Sequence, residues 1–326
     1  MPELPDVEVY CERIASCFGG QRLARVRLAS PFLLRSVDPP LSEVSGQQLL
    51  GVRRIGKRIV FELSQDLFLI LHLMIAGRLR MKPLGSVVQR KVGLCAFDFE
   101  THSLLLTEAS TKKRASLHVI RGAAGLDAFR RGGVEPMEVS TAEFAEALQR
   151  ENRTLKRALT DPRIVSGVGN AYSDEILWRA GLAPTQRTQT LSPAAIESLH
   201  AAAQSTLSEW TARLREQVGD GFPDKVTAFH EQMAVHGRYG LPCPKCGTKV
   251  QRVRFADNEL NYCPRCQTRG KVLADRGLSK LLGDDWPKTI EELEERVPGA
   301  EQAQADPPSR GARRKGGAAA RRTVKR

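Results

Sequence analysis

The sequence predicts an α+β chain: a β-rich N-terminal domain that opens with a helix, a helical second domain, and a small metal-bound module. Three observations carry this. Short apolar runs separated by turn residues fill positions 23–107, an Ala/Leu/Glu-rich stretch with helical period spans 141–217, and two C-x2-C pairs stand at Cys243/Cys246 and Cys263/Cys266. A chain of 326 residues has room for two domains, each with a core of its own.

The chain begins Met1-Pro2-Glu3-Leu4-Pro5-Asp6, after which Val7, Tyr10, Cys11, Ile14 and Phe18 recur on one helical face. Pro5 and Asp6 suit the first turn of that helix. With Met1 removed, Pro2 presents a secondary amine beside the Glu3 carboxylate. A terminal amine has a pKa of roughly 7.7–8.0 against about 10.4 for lysine, so far more of it is unprotonated at neutral pH and able to attack a carbonyl carbon. The same residues also serve simply to lead into a helix, and residues 1–6 alone leave both readings open.

Runs at 23–28, 49–55, 58–63, 67–74, 94–99 and 103–107 read as strands of a sandwich or barrel-like domain, which Gly132-Gly133 and Pro136 bring to an end. The helical stretch that follows is interrupted at Asp161-Pro162 and at Gly167-Val168-Gly169-Asn170. This glycine loop permits a tight turn whose backbone N–H groups, with the helix start behind them, make an anion site with Asn170 as N-cap candidate. It serves equally to end one helix and start the next.

Cys243-Pro244-Lys245-Cys246 and Cys263-Pro264-Arg265-Cys266 are separated by 16 residues, enough for a hairpin that brings the pairs together. One Zn2+ on four thiolates keeps no open position, so the ion is structural. Cys11, Cys17 and Cys95 lie in apolar contexts and read as core residues. Lysine and arginine number 50 against 37 acids, a net charge of +13. The basic stretch 307–326 is nearly cancelled by the acidic stretch 284–306, so residues 1–283 keep about +11 and a polyanion is the expected ligand. Cations such as Lys249, Arg252 and Arg254 crowd the cysteine module and suit it to a phosphate backbone. No 18-residue apolar run and no leader pattern is present, which leads to the expectation of a cytoplasmic protein without a membrane partner. From about Gly299 the chain has almost nothing to bury and is expected to be disordered.

With these pieces in order, residues 1–270 resemble the formamidopyrimidine-DNA glycosylase and endonuclease VIII family, closer to the formamidopyrimidine branch. The resemblance runs through Pro2-Glu3-Leu4-Pro5-Asp6-Val7-Glu8, Gly56-Lys57, His72-Leu73, Ala76-Gly77, the 161–181 segment, and Gly237-Arg238 leading into the four cysteines. It implies a β-sandwich with a terminal helix over 1–134, a helix-two-turn-helix domain over 135–235, a zinc finger over 236–270 and an extension over 271–326. It implies double-stranded DNA with damaged bases or abasic sites in the cleft, bound by a monomer associated with the nucleoid. Pro2 is implied as the nucleophile on C1′, Glu3 as the proton-transfer group and Lys57 as a lysine touching phosphate near the lesion. Lys156, Gly169 and Asn170 match phosphate-binding positions, and Arg254 and Asn258 fall where the zinc hairpin meets DNA. The implied activity is base-excision repair by a bifunctional glycosylase and abasic-site lyase acting on oxidised bases through an iminium on Pro2. The alternative is a non-catalytic or lyase-only binder of damaged DNA. Four features depart from the family pattern: Asp6 stands where a glutamate is usual, Ile75 where a methionine falls, the 108–117 segment lacks phenylalanine, and Asn258 and Asn261 replace an arginine and an aromatic.

Overall fold

The structure, a computed structural model, describes residues 1–224, 226–227, 229–255 and 259–296. Asn258 and the tail from 299 lie outside the described residues.

Helix α1 (Leu4–Phe18) starts where Pro5 presets the first turn and the Asp6 carboxylate accepts the Glu3 N–H at 2.8 Å. Nine strands follow: β1 (Arg22–Leu23), β2 (Arg25–Leu28), β3 (Gln47–Ile55), β4 (Arg58–Leu63), β5 (Leu67–His72), β6 (Gly77–Pro83), β7 (Gly93–Asp98), β8 (His102–Glu108) and β9 (Ser116–Arg121). They form two antiparallel sheets with orders β1-β3-β4-β5-β9 and β2-β7-β8-β6. One core lies between the sheets, where Phe61 of the first stacks on Phe97 of the second at 5.5 Å, so the domain is a sandwich. Strands β4 and β5 are apolar on both faces because their outer side is covered too, by Leu126 and Phe129 of the helical turn Ala123–Phe129.

Two strands escape a search for apolar runs. In β6, Arg78, Arg80 and Lys82 alternate with Leu79 and Met81, and β9 likewise places His118 between Leu117 and Val119. The strand expected over 67–74 ends at His72, because Met74 takes a φ of 53° and turns the chain.

The second unit comprises α2 (Thr141–Gln149), α3 (Leu155–Thr160), α4 (Asn170–Ala180) and α5 (Pro193–Val218) around Phe144, Leu155, Tyr172, Ile176 and Trp210. Ser140 and Glu143 make a capping box on α2, and Ser192 caps α5. The terminal helix belongs to both units. Leu4 is buried in the helical core while Val7, Tyr10 and Phe18 enter the sandwich, and Glu12 pairs with Arg215 of α5 at 2.5 Å. Residues 1–3 are thereby fixed at the junction.

Strands β10 (Gln251–Arg254) and β11 (Glu259–Tyr262) form the hairpin between the cysteine pairs, followed by α6 (Pro264–Thr268). Residues 271–296 fold back on this module as α7 (Arg276–Leu282) and α8 (Ile290–Arg296). Val272 donates its N–H to Lys288 O, Leu273 donates to the Tyr262 hydroxyl, and Ile290 is buried. No helix among the described residues is long and apolar enough to cross a membrane.

Candidate catalytic and nucleic-acid-binding site

The glycine loop is an anion site, and the anion is the chain's own Glu3. Its Oε2 accepts from Gly169 N at 2.6 Å and Tyr172 N at 3.3 Å, and its Oε1 from Ala171 N at 2.9 Å. These are orphan donors at the start of α4, where the helix dipole also favours negative charge. The geometry explains both glycines. Gly167 has a φ of 78°, and a Cβ on Gly169 would stand 2.5 Å from Glu3 Cδ. Gly169 thus gives its backbone donor to Glu3, where the sequence suggests a phosphate.

Pro2 is buried between this carboxylate and the junction. With Met1 in place the terminal ammonium, that of Met1, is pulled below its ordinary value, mainly by burial. Glu3 opposes that shift, and Arg78 and Lys57 add to it. An amine so placed is unprotonated more often than one in water. The Asp6 carboxyl is pushed up to about 7, chiefly by burial and further by the charge of Glu3, against the backbone N–H it accepts. Lys57, in the turn between β3 and β4, donates Nζ to Val168 O at 3.0 Å. Burial lowers its pKa and the Glu3 charge opposes this. The site therefore brings Pro2, Glu3 and Asp6 of the N-terminal segment together with Lys57 and the start of α4, which are far apart in sequence. Two cavities adjoin it. One of about 350 Å3 is lined by Asp6, Val9, Phe222, Asp224 and Val226. A larger one opens beside Met1 and Lys57.

Lys156 and Asn170 have partners within the protein. Lys156 Nζ reaches Asp174 Oδ1 at 2.6 Å, Asn170 O at 2.6 Å and Ser173 Oγ at 2.8 Å. Any phosphate it contacts has to compete with these three acceptors. Asn170 is the first helical residue and not the N-cap, since Glu3 supplies the capping acceptor. Its amide instead donates to Glu259 O at 2.9 Å and ties α4 to the zinc hairpin.

Sequence reasoning missed two carboxylates on α4. Asp174, fully buried, accepts from Lys156 and bonds His236 Nδ1 at 2.7 Å and Asn261 N at 3.1 Å through Oδ2. Glu175 accepts the N–H groups of Ala234, Val235 and His236. The signal was present, an Asp-Glu pair inside an otherwise apolar helix face. Asn261, notable in the sequence for replacing an aromatic, turns out to bind Asp174 through its backbone.

The four cysteine Sγ atoms lie within 4.8 Å of one another. The separations of 3.9 Å for Cys243/Cys266 and 3.4 Å for Cys246/Cys263 bracket the roughly 3.8 Å that tetrahedral Zn–S bonds of about 2.3 Å require. The cluster could bind one zinc ion, and the Trp178 Nε1–H points at Cys243 Sγ from 3.3 Å. Arg254 is exposed at the end of β10, its backbone N–H held by Asp275. Arg252 instead lies over the Tyr239 ring at 4.1 Å.

Residues 1–119 match the profile of the formamidopyrimidine-DNA glycosylase N-terminal domain, 133–217 that of its H2TH domain, and 240–269 that of the zinc finger found in FPG and IleRS. Proteins named formamidopyrimidine-DNA glycosylase from Geobacillus kaustophilus and Exiguobacterium sp. are 32% and 30% identical over 82% of this chain and 100% of theirs. An uncharacterized formamidopyrimidine-DNA glycosylase-like protein of Mycobacterium tuberculosis is 42% identical over 49% of this chain and 99% of its own. Among solved structures, the complex between Lactococcus lactis Fpg and DNA containing an abasic site superposes with a TM-score of 0.71 at 26% identity, covering 81% of this chain and 99% of that one.

Proposed function

The chain belongs to the formamidopyrimidine-DNA glycosylase family, and on that premise we propose that it excises oxidised bases from double-stranded DNA and then cleaves the strand at the abasic site. The observation that carries this reading is the buried Glu3 carboxylate, held by three backbone N–H groups beside Pro2. The start of α4 accounts for the carboxylate being held there, and its position next to Pro2 sets a negative charge beside an amine nucleophile.

In this reading Pro2, freed of Met1, attacks C1′ of a nucleotide turned out of the duplex. The C1′–N bond breaks and the base leaves with a proton. Asp6, whose carboxyl sits near 7, borders the 350 Å3 cavity, which has the size to take the departing base, and in this reading supplies that proton. Glu3 stabilises the positive charge that develops on the sugar and passes the proton lost by the Pro2 nitrogen to O4′, so that the C1′–O4′ bond breaks and the Pro2 iminium forms. The resulting iminium acidifies C2′–H; loss of that proton breaks the C3′–O bond and leaves a 5′-phosphate on the downstream strand. Loss of the C4′ proton then breaks C5′–O and leaves a 3′-phosphate upstream. Lys57, anchored on Val168 O, takes the phosphate beside the reacting sugar. Asn170, Lys156 and Gly169 position the α4 end of the cleft, and Arg254 extends the grip from the hairpin. All of these groups come from one chain, so a monomer suffices.

Borohydride reduction in the presence of abasic-site duplex tests the reading. A covalent protein–DNA adduct is expected from protein lacking Met1, and none from Pro2→Gly. Failure to trap any adduct with fully processed protein would falsify the iminium mechanism.

A further inference from the structure

The larger cavity, about 900 Å3, is within the size range that encloses a small ligand. Its floor is the outer face of the first sheet, where Arg58 of β4, His72 of β5 and Ser116 of β9 lie in register. The segment Phe129–Arg131 forms one wall, and Pro162, Ser166 and Gly167 of the helical unit form another. Arg58 is aimed by its bond to Phe129 O at 3.3 Å and lies 5.8 Å from that ring.

Five cations face this space: Arg35, Lys57, Arg58, Arg130 and Arg131. The acid in the lining, Glu135, is already engaged by Arg54 at 2.7 Å and by the Ser166 hydroxyl at 2.5 Å. Among the described residues Arg35, Arg58 and Arg131 have no ion-pair partner, and Arg130 meets only the exposed Asp127 at 3.4 Å. The excess of positive charge reaches the histidines. His72 is pushed down to about 4 by burial and then by Arg58, Lys57 and Arg131, and His118 is lowered by burial, Arg58 and Arg35. His72 stays neutral at physiological pH.

We propose that this cavity binds the phosphate monoester at the end of a cleaved DNA strand. A monoester carries about −1.5 to −2 charges at pH 7 where a backbone diester carries one, and a cluster of unpaired arginines favours the more highly charged group. The walls point the same way. A volume of about 900 Å3 has room for one phosphorylated nucleotide end but not for a continuous duplex. The opening lies beside Met1, so an end produced at Pro2 is released next to the cavity. The cavity then holds the nicked product after the covalent bond to Pro2 has gone. This assignment rests on the strand-cleaving reading above.

The test is equilibrium binding of the full chain to nicked or one-nucleotide-gapped duplexes bearing a 3′-phosphate, a 5′-phosphate, or hydroxyls at both ends. One phosphorylated end is expected to bind roughly tenfold tighter than hydroxyl ends. In Arg58→Gln and in Arg131→Gln that ratio is expected to fall toward one, while Lys82→Gln on the other sheet keeps it. Reading the ratio within each variant removes any general loss of affinity or folding. Equal binding of all ends by the wild type, or an unchanged ratio in both arginine variants, overturns the proposal. So does half-competition by inorganic phosphate below about 1 mM, which marks free phosphate as the ligand. Borohydride trapping fails or succeeds independently: an end preference without trapping removes the strand-cleaving reading alone, and trapping without an end preference removes this one alone.

Discussion

Replacing Asp174 by asparagine removes one charge and almost no volume from the most enclosed carboxylate of the helical unit. Asp174 has no exposed surface and answers three donors: the Lys156 ammonium at 2.6 Å, His236 Nδ1 at 2.7 Å and Asn261 N at 3.1 Å. An asparagine can accept on one side only. With its oxygen toward Lys156 its amide faces the Asn261 N–H, and with the oxygen reversed it faces an ammonium. Removing one partner of a buried ion pair costs about 3–5 kcal/mol. Lys156 keeps Asn170 O and Ser173 Oγ, which places the cost near the lower end; an unsatisfied Asn261 N–H adds about 1 kcal/mol or more. The sum is about 4–5 kcal/mol, or roughly 8–20 °C in Tm for a cooperative unit of this size. Urea unfolding followed by fluorescence is suited to measure it, since Trp178 and Trp210 both lie in or against this unit. Adding Lys156→Met to Asp174→Asn should recover part of the loss by removing the orphaned charge. A loss below about 1 kcal/mol, or no recovery in the double variant, refutes the view that this pair is a buried brace.

Three further outcomes follow from the same geometry. Glu3→Gln keeps the shape but sets an amide against the donors of α4, and single-turnover base excision should drop about 10²–10⁴-fold; wild-type rates would mean that the carboxylate only caps a helix. Asp6 is protonated below about 7 and ionised above it, so its action as an acid is present at pH 6 and lost by pH 8.5. The excision rate should fall through that window in the wild type and stay flat at a lower level in Asp6→Asn, and identical profiles count against the assignment. Cys263→Ser should lose zinc by metal analysis and weaken DNA binding while the sandwich stays folded, because the cysteine cluster shares no core with it. Undiminished affinity would show that the hairpin does not read DNA.

The features legible in the sequence were those that repeat at short range. The apolar period of α1, the cysteine spacing and the breaks at Gly132-Gly133 and Gly167 each declare themselves within a few residues. The anion of the glycine loop did not, because Glu3 and Gly169 are 166 residues apart and nothing local in either segment names the other. Asn170 shows the same limit. Judged locally it is an N-cap, yet a distant carboxylate takes that position and frees its amide for Glu259. β6 was hidden for a different reason, since a strand with one wet face carries cations at alternate positions and offers no apolar run. The fold-back of 271–296 on the hairpin depends on three scattered apolar residues, Val272, Leu273 and Ile290, and a few hydrogen bonds, too little for a composition-based reading to see.

That Glu3 is held by main-chain groups has a structural consequence. Its position depends on where α4 begins, and not on which side chains surround it. The start of α4 is fixed from two directions. Lys156 of α3 binds Asn170 O and Asp174, and the Asn170 amide binds the backbone of β11. Farther along the same helix, Glu175 gathers residues 234–236 and Trp178 meets Cys243. One rigid helix of 11 residues therefore carries the proposed catalytic carboxylate at its first turn and the metal module along its length. The hairpin proposed to meet DNA is thus mechanically continuous with the carboxylate proposed to act on the sugar. A loop in place of α4 could hold the same carboxylate, but it could not keep the hairpin and Glu3 in one fixed relation, because each would then move with its own local fluctuations.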